Sequence, residues 1–125
     1  MFTSNYARLK RLPAELRPVA ISIKPPYWCK CDREMRLAPT VEMLQMSPAD
    51  YNLAFDAILA TLDPTEIFTS LGDNAVLLCF ESPNIACHRR RVAEWLENAL
   101  GIIIPEYGFA REFSLPYHEM PWKLK

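Results

Sequence analysis

Glycine is scarce in this chain. Three glycines stand against eleven prolines in 125 residues. Few backbone positions can therefore need positive φ, and the prolines imply long, stiffened connections. An excess of charge of either sign is also missing, with a formal net charge of −1. There is thus no global attraction to nucleic acid or to an anionic membrane, and any polyanion would need a local basic patch. No apolar run approaches the roughly 18 residues of a membrane span, so no membrane partner is expected. The stretch from Met1 to Arg17 mixes charged and apolar residues with no continuous hydrophobic segment, unlike a signal peptide, and the cytoplasm is the expected compartment. Neither an internal repeat nor a low-complexity segment is found.

What is present describes an ordinary globular chain. Half of the residues are hydrophobic and 23% are charged, which argues against disorder. The length suits one domain over residues 1–125 with a single core. Without an export signal, Cys29, Cys31, Cys79 and Cys87 are expected to be reduced thiols or metal ligands and not a disulfide framework.

Local patterns then divide the chain. Met1 to Leu9 can hold a first strand and a turn or short helix, and Lys10 to Pro18 is a basic connection. Val19-Ala20-Ile21-Ser22-Ile23 reads as a buried strand stopped by Pro25-Pro26. From Lys24 to Thr40 no period is visible, and a long ordered loop is expected. Ser47-Pro48-Ala49-Asp50 combines an N-cap, a proline at the first helical position and an acid in the first turn. Tyr51, Phe55, Ile58, Leu59 and Leu62 follow at helical spacing. Asp63-Pro64-Thr65-Glu66 repeats the signal for a shorter helix ending near Leu71-Gly72. Ala75 to Phe80 is apolar without alternation, as in a parallel strand buried on both faces. Cys87 to Leu100 is a predicted helix stopped by Gly101, and Ile102-Ile103-Ile104 is predicted as the next strand. The fold class is therefore α/β: a Rossmann-like domain with a small, mostly parallel sheet and helices on both faces. The aromatic and proline-rich tail, 105–125, is expected to wrap a body formed by 1–104.

The junction between the Ala75–Phe80 strand and the Cys87 helix carries the densest chemistry. Cys79 and Glu81 end the strand, and Cys87, His88, Arg89, Arg90 and Arg91 open the helix. Ligands in open parallel sheets bind at such strand-to-helix junctions. Unpaired N–H groups at a helix start, with forked guanidinium donors, suit a phosphate. Arg89 or Arg90 can equally pair with Glu81 to neutralise it. A thiol beside cations at a helix start can be a nucleophile, with His88 as acid or base, although Cys79 also reads as a small core residue. The phosphatase spacing of cysteine, five residues and arginine is absent, since Ile85 and Ala93 occupy the sixth positions after the two cysteines. A zinc set of Cys29, Cys31, Cys87 and His88 has the right number and type of ligands but no standard spacing. Two unused loop cysteines are the plainer reading, and no cofactor is expected. Tyr27 and Trp28 lie among Lys30, Arg33 and Arg36, and Arg8, Lys10, Arg11 and Arg17 form a second basic group. Such interleaving could stack bases, or the aromatics could simply cover the core.

These residues together resemble the domain-of-unknown-function 488 family of small α/β proteins. The resemblance rests on Phe2-Thr3-Ser4-Asn5-Tyr6-Ala7 with Leu9, Ala20-Ile21-Ser22-Ile23 before Pro26 and Trp28, and Leu37-Ala38-Pro39. Its strongest part is Leu77-Leu78-Cys79-Phe80-Glu81 with Cys87-His88-Arg89-Arg90 and Val92-Ala93-Glu94-Trp95-Leu96. It spans roughly Phe2 to Ile104 and implies a Rossmann-like α/β sandwich, without an activity. Cys29, Cys31 and the tail lie outside it.

The resulting expectation is a pocket for a phosphate-bearing ligand, a nucleotide or a nucleic-acid end, with hydrolysis as the first reaction to test. Cys79, Glu81, Cys87 and His88 are the candidate catalytic residues, with Glu81 as base or charge partner and His88 as proton carrier. Arg89, Arg90, Ser4, Tyr6, Ser22, Lys24 and Trp28 are the candidate ligand contacts. The alternative is a non-enzymatic protein-interaction domain in which the polar cluster is structural and the Pro25–Arg36 loop or the tail is the working surface.

Overall fold

The structure is a computed structural model that describes residues 1–123. Among the described residues, four short strands form one all-parallel sheet: β1 (Phe2–Asn5), β2 (Arg17–Ala20), β3 (Asp32–Arg33) and β4 (Ala75–Cys79), in the order β1-β4-β2-β3. The central strand β4 is the unalternated apolar run, and all five of its residues are buried. Phe2 to Asn5 pair with Val76 to Cys79, and Arg17 to Ala20 pair with Ala75 to Leu78. Pro18 has no N–H to give, and it precedes the point where β3 joins β2 at Val19. The strand expected to run to Ile23 ends at Ala20, although the Ile21 amide still donates to the Leu78 carbonyl.

Among the described residues, three α-helices cover one face of the sheet. They are α1 (Pro48–Ala60), α2 (Pro64–Leu71) and α3 (His88–Leu100). Both predicted start signals hold, because Ser47 accepts from the Asp50 amide and Asp63 accepts from Thr65 and Glu66. Phe55, Leu59, Ile67, Leu71, Val92, Ala93 and Leu96 pack with Val19, Ile21, Ala75 and Leu77 in the main core. The opposite face is covered differently. A 3₁₀ helix, Tyr6–Arg11, and the loop carrying Cys29 and Cys31 pack on Ala20, Val76 and Leu78. Helices thus lie on both faces, with all three α-helices on one. Within the long loop, β3 and a 3₁₀ turn at Met35–Leu37 add order that its aperiodic sequence does not announce.

The predicted strand at Ile102–Ile104 is not formed. After Gly101 the chain touches the sheet through one parallel bridge, Thr3 to Glu106, with Thr3 N–H on Pro105 O and Tyr107 N–H on Thr3 O. Pro105 cannot donate, and the chain turns away at Tyr107, so pairing stops after one residue. Gly101 closes α3 in the left-handed region, φ 67° and ψ 31°. Gly101→Ala is expected to cost about 1 kcal/mol in urea unfolding, because nothing there offsets the loss of left-handed freedom.

Tail residues pack on the body. Tyr117 N–H donates to Glu94 and its hydroxyl to Asn52, Arg111 pairs with Glu97, and Trp122 packs edge-on to Tyr51. Asn84, at φ 64° in the turn after β4, holds the tail through Phe113 O and the Leu115 amide. The expected end of the tail at Leu124 and Lys125 lies outside the described residues. Among the described residues, no helix is long and apolar enough to cross a membrane.

Candidate functional site

Cys79 ends β4 and Cys87 is the N-cap of α3, and the two sulfurs are joined as a disulfide with Cα atoms 7.1 Å apart. The expectation of two reduced thiols acting as nucleophiles is therefore corrected. Burial on two converging elements brought the cysteines together, which a separation of eight residues does not reveal. Cys87 has extended backbone, φ −147° and ψ 140°, and makes no side-chain cap bond. That conformation lets its sulfur converge with the next residue instead of diverging as on a helix. His88 Nδ1 lies 3.9 Å from Cys87 Sγ, while Nε2 sits 2.6 Å from the Ile21 carbonyl.

His88 is buried against the Phe55 ring. Burial pushes its pKa down to about 4, the Arg89 charge adds to the fall, and the bond to Ile21 opposes it. The ring is thus neutral, with Nε2–H donating, and it is not a surface proton carrier. This corrects the role expected for it.

Arg89 is 0% exposed. Its Nε and Nη2 donate to the Glu106 carboxylate at 2.9 and 3.2 Å, and its Nη1 donates to Cys79 Sγ at 3.1 Å. It is therefore not a free anion clamp, and its partner is not Glu81. Burial by itself would raise the Glu106 pKa, but hydrogen bonds and charge from Arg89, with help from Thr3 and Arg90, bring it below the usual carboxylate range. Thr3 also donates its hydroxyl to Glu106. Arg90 is sealed beneath, with Nη1 on Thr3 Oγ1 and Ile104 O, and its Nε and Nη2 have no hydrogen-bond partner among the described residues. Arg90 is therefore withdrawn as a ligand contact. The helix turn at residues 88–90 aims all three side chains inward, and Arg91 alone faces out to Asp56 and the Tyr117 ring.

Other candidates separate by depth. Ser4 is buried opposite Leu78, inside the sheet and out of a ligand's reach. Asn5 reaches across the strand ends to the Glu81 carbonyl at 3.2 Å. Glu81 is half-buried and its carboxylate has no partner among the described residues. Tyr6 OH and Ser22 Oγ are 2.5 Å apart, and Tyr6 packs edge-on to the exposed Phe80 ring. Lys24 is exposed and forms no ion pair among the described residues. Trp28 is half exposed in the loop after β2, and Tyr27 is 99% exposed.

The four-ligand zinc set is not assembled. Cys29 and Cys31, their sulfurs 2.6 Å apart, pack against the Tyr6 face of the sheet, whereas Cys87 and His88 sit on the α-helical face. Burial, then the neighbouring Cys29, pushes the Cys31 thiol up to about 12. Much of the basic loop is spent locally: Arg17 pairs with Asp32, Arg36 with Glu34 and Glu66, and Arg33 donates to Ile23 O. Two surface cavities of about 440 Å³ lie elsewhere, one beside Arg17, Lys30 and Asp32, the other between α1 and α3 near Asp56, Trp95 and His118.

Glu106 is the residue that sequence reasoning missed. An acid directly after Ile102-Ile103-Ile104-Pro105 was the available signal, because a carboxylate ending an apolar run must find a cation or leave the core. No family model, no curated protein and no solved structure matches this chain.

Proposed function

We propose that the protein is a small domain that binds a phosphate-bearing ligand, such as a nucleotide or a nucleic-acid end, at the carboxyl ends of β1, β4 and β2. The observation that supports this is the split in chain direction around β4. The chain leaves β1 and β2 toward the Tyr6 face, and it leaves β4 toward the α-helical face. Parallel sheets bind ligands in the crevice that such a reversal opens. That crest carries Asn5, the Tyr6–Ser22 hydroxyl pair and Glu81, with Lys24 following Ser22 in the chain. Lys24 supplies the cation for a phosphate, while the buried Tyr6–Ser22 hydroxyl pair and Asn5, bonded to the Glu81 carbonyl, form the floor beneath it. Phe80 offers an apolar face beside Tyr6.

Glu81 is the one expected catalytic residue still available to accept a proton. Any hydrolysis would run through it, since Cys79, Cys87 and His88 are committed to one another and to the backbone.

A thermal-shift screen with inorganic phosphate, mononucleotides and short oligonucleotides tests the proposal. Stabilisation by one of them, weakened about tenfold in affinity by Lys24→Ala, is the expected outcome. No shift with any of these probes would overturn it. The second reading, a protein-interaction domain, is favoured by the exposed Tyr27 and Trp28 on the loop after β2. It predicts that Tyr27→Ala with Trp28→Ala abolishes partner binding and leaves the ligand screen unchanged.

A further inference from the structure

Cys79, Cys87 and His88 form a buried group whose ligating atoms all lie within 4.8 Å of one another, and no fourth His, Cys, Asp or Glu joins them among the described residues. Three details suit this group to a metal ion. The Ile21 carbonyl takes the His88 Nε2–H, so the lone pair of Nδ1 is left on the side of the sulfurs. A backbone carbonyl in that position is the usual outer support of a metal-bound imidazole, fixing its tautomer and ring orientation. Arg89 Nη1, 3.1 Å from Cys79 Sγ, stabilises negative charge on that sulfur, and Glu106 already balances the guanidinium.

One distance already approaches that of a bound ion. Zn–S bonds near 2.3 Å and Zn–N bonds near 2.0–2.1 Å at tetrahedral angles place neighbouring ligand atoms about 3.5–3.8 Å apart. Cys87 Sγ and His88 Nδ1 are at 3.9 Å. The two sulfurs are bonded to each other and must part to hold an ion.

We propose that reduction of the Cys79–Cys87 disulfide creates a Zn²⁺ site, with both thiolates and His88 Nδ1 as ligands and a fourth position left to water or an added donor. The disulfide takes two electrons and two protons from a dithiol reductant, which leaves as its own cyclic disulfide. Zn²⁺ then displaces the two thiol protons as it binds. Oxidation by a disulfide reverses both steps and releases the ion. The site is separate from the ligand crest and does not depend on it. It also differs from the four-ligand set considered from sequence, because Cys79 replaces the two loop cysteines.

The experiment uses the whole chain, reduced with a dithiol, desalted without oxygen and titrated with Zn²⁺ against a chromophoric chelator. Stoichiometric uptake is expected when reduced, with affinity lower by roughly tenfold or more in the untreated disulfide form. Cobalt(II) added to the reduced protein should give the thiolate charge-transfer and intense ligand-field bands of a tetrahedral site. Cys79→Ser and Cys87→Ser should each abolish both signals, and His88→Gln should weaken zinc binding. The Cys29→Ser/Cys31→Ser double variant, which leaves the group intact, should bind zinc as the native chain does. Absence of zinc uptake by the reduced native chain overturns the proposal, and so does loss of uptake in the Cys29/Cys31 double variant.

Discussion

Glu106→Gln is expected to destabilise the protein by about 3–5 kcal/mol, the range found when one partner of a buried ion pair is removed. The substitution keeps the shape of the side chain but leaves the Arg89 guanidinium charged, fully buried and without a counter-ion. It also weakens the Thr3 bond that ties the chain after α3 to β1. A domain of this size holds only about 5–15 kcal/mol in total, so the loss would consume much of it. Arg89→Met should be similarly costly, because it leaves the carboxylate stranded. The double variant Arg89→Met/Glu106→Leu should lose clearly less than the sum of the two, since neither partner then remains as an unpaired charge. Urea unfolding of the four proteins measures this. A loss of under about 1 kcal/mol for Glu106→Gln would mean that water reaches the pair.

Acidification from pH 7 to 4 is expected to remove about 3 kcal/mol of stability through His88 alone. Its folded pKa, about 4, lies below the ordinary value of 6.5. Between those two values the unfolded chain binds the proton and the folded chain does not, so stability falls as pH falls. It is fully present above pH 6.5 and lost toward pH 4. The groups facing the ring account for the direction. The Ile21 carbonyl supports a donor on Nε2, Phe55 on α1 offers no charge, Cys87 lies beside Nδ1, and Arg89 repels an imidazolium. Glu34, Glu97 and Glu106 also have lowered values, from bonds to Arg36, Arg111 and Arg89 that outweigh burial where burial opposes them. Their contribution is lost at lower pH, below the ordinary carboxylate value of 4.5. Comparing the disulfide-bonded, metal-free native chain with His88→Gln isolates the imidazole. The variant should show a flatter stability profile between pH 6.5 and 4, and coincident profiles would refute the assignment.

The two predictions come from the same turn of helix, and that turn shows how unevenly the chain could be read. Cys87 at the start of α3 was legible because an apolar strand, a short Ser-Pro-Asn turn and a helical period follow one another without interruption. The identities of the groups gathered there were legible too, as was the buried character of β4. Their accessibility was not. Three consecutive residues of basic or titratable type at a helix start normally suggest a wet surface, yet His88, Arg89 and Arg90 are all buried. Phe55 and Ile21 cover His88, Glu106 closes on Arg89 and Ile104 on Arg90, and nothing local in a basic tripeptide reports cover supplied from elsewhere in the chain. Ile102–Ile104 failed as a strand for a related reason. Its β-branched composition favours extended backbone, but pairing also needs donors beyond the run, and Pro105 removes one.

Caps, stops and apolar periods were readable residue by residue, since each acts over one or two turns of backbone: Ser47 and Asp63 before their prolines, Gly101 after Leu100, and the dry run of β4. Partner choice was not readable in that way. Glu106 for Arg89, Ile21 for His88, Cys79 for Cys87 and the separation of Cys29 and Cys31 onto the far face arise when distant segments meet in three dimensions. A buried charge takes whichever opposite group the packed chain delivers to it, and that delivery is a property of the assembled sheet and helices.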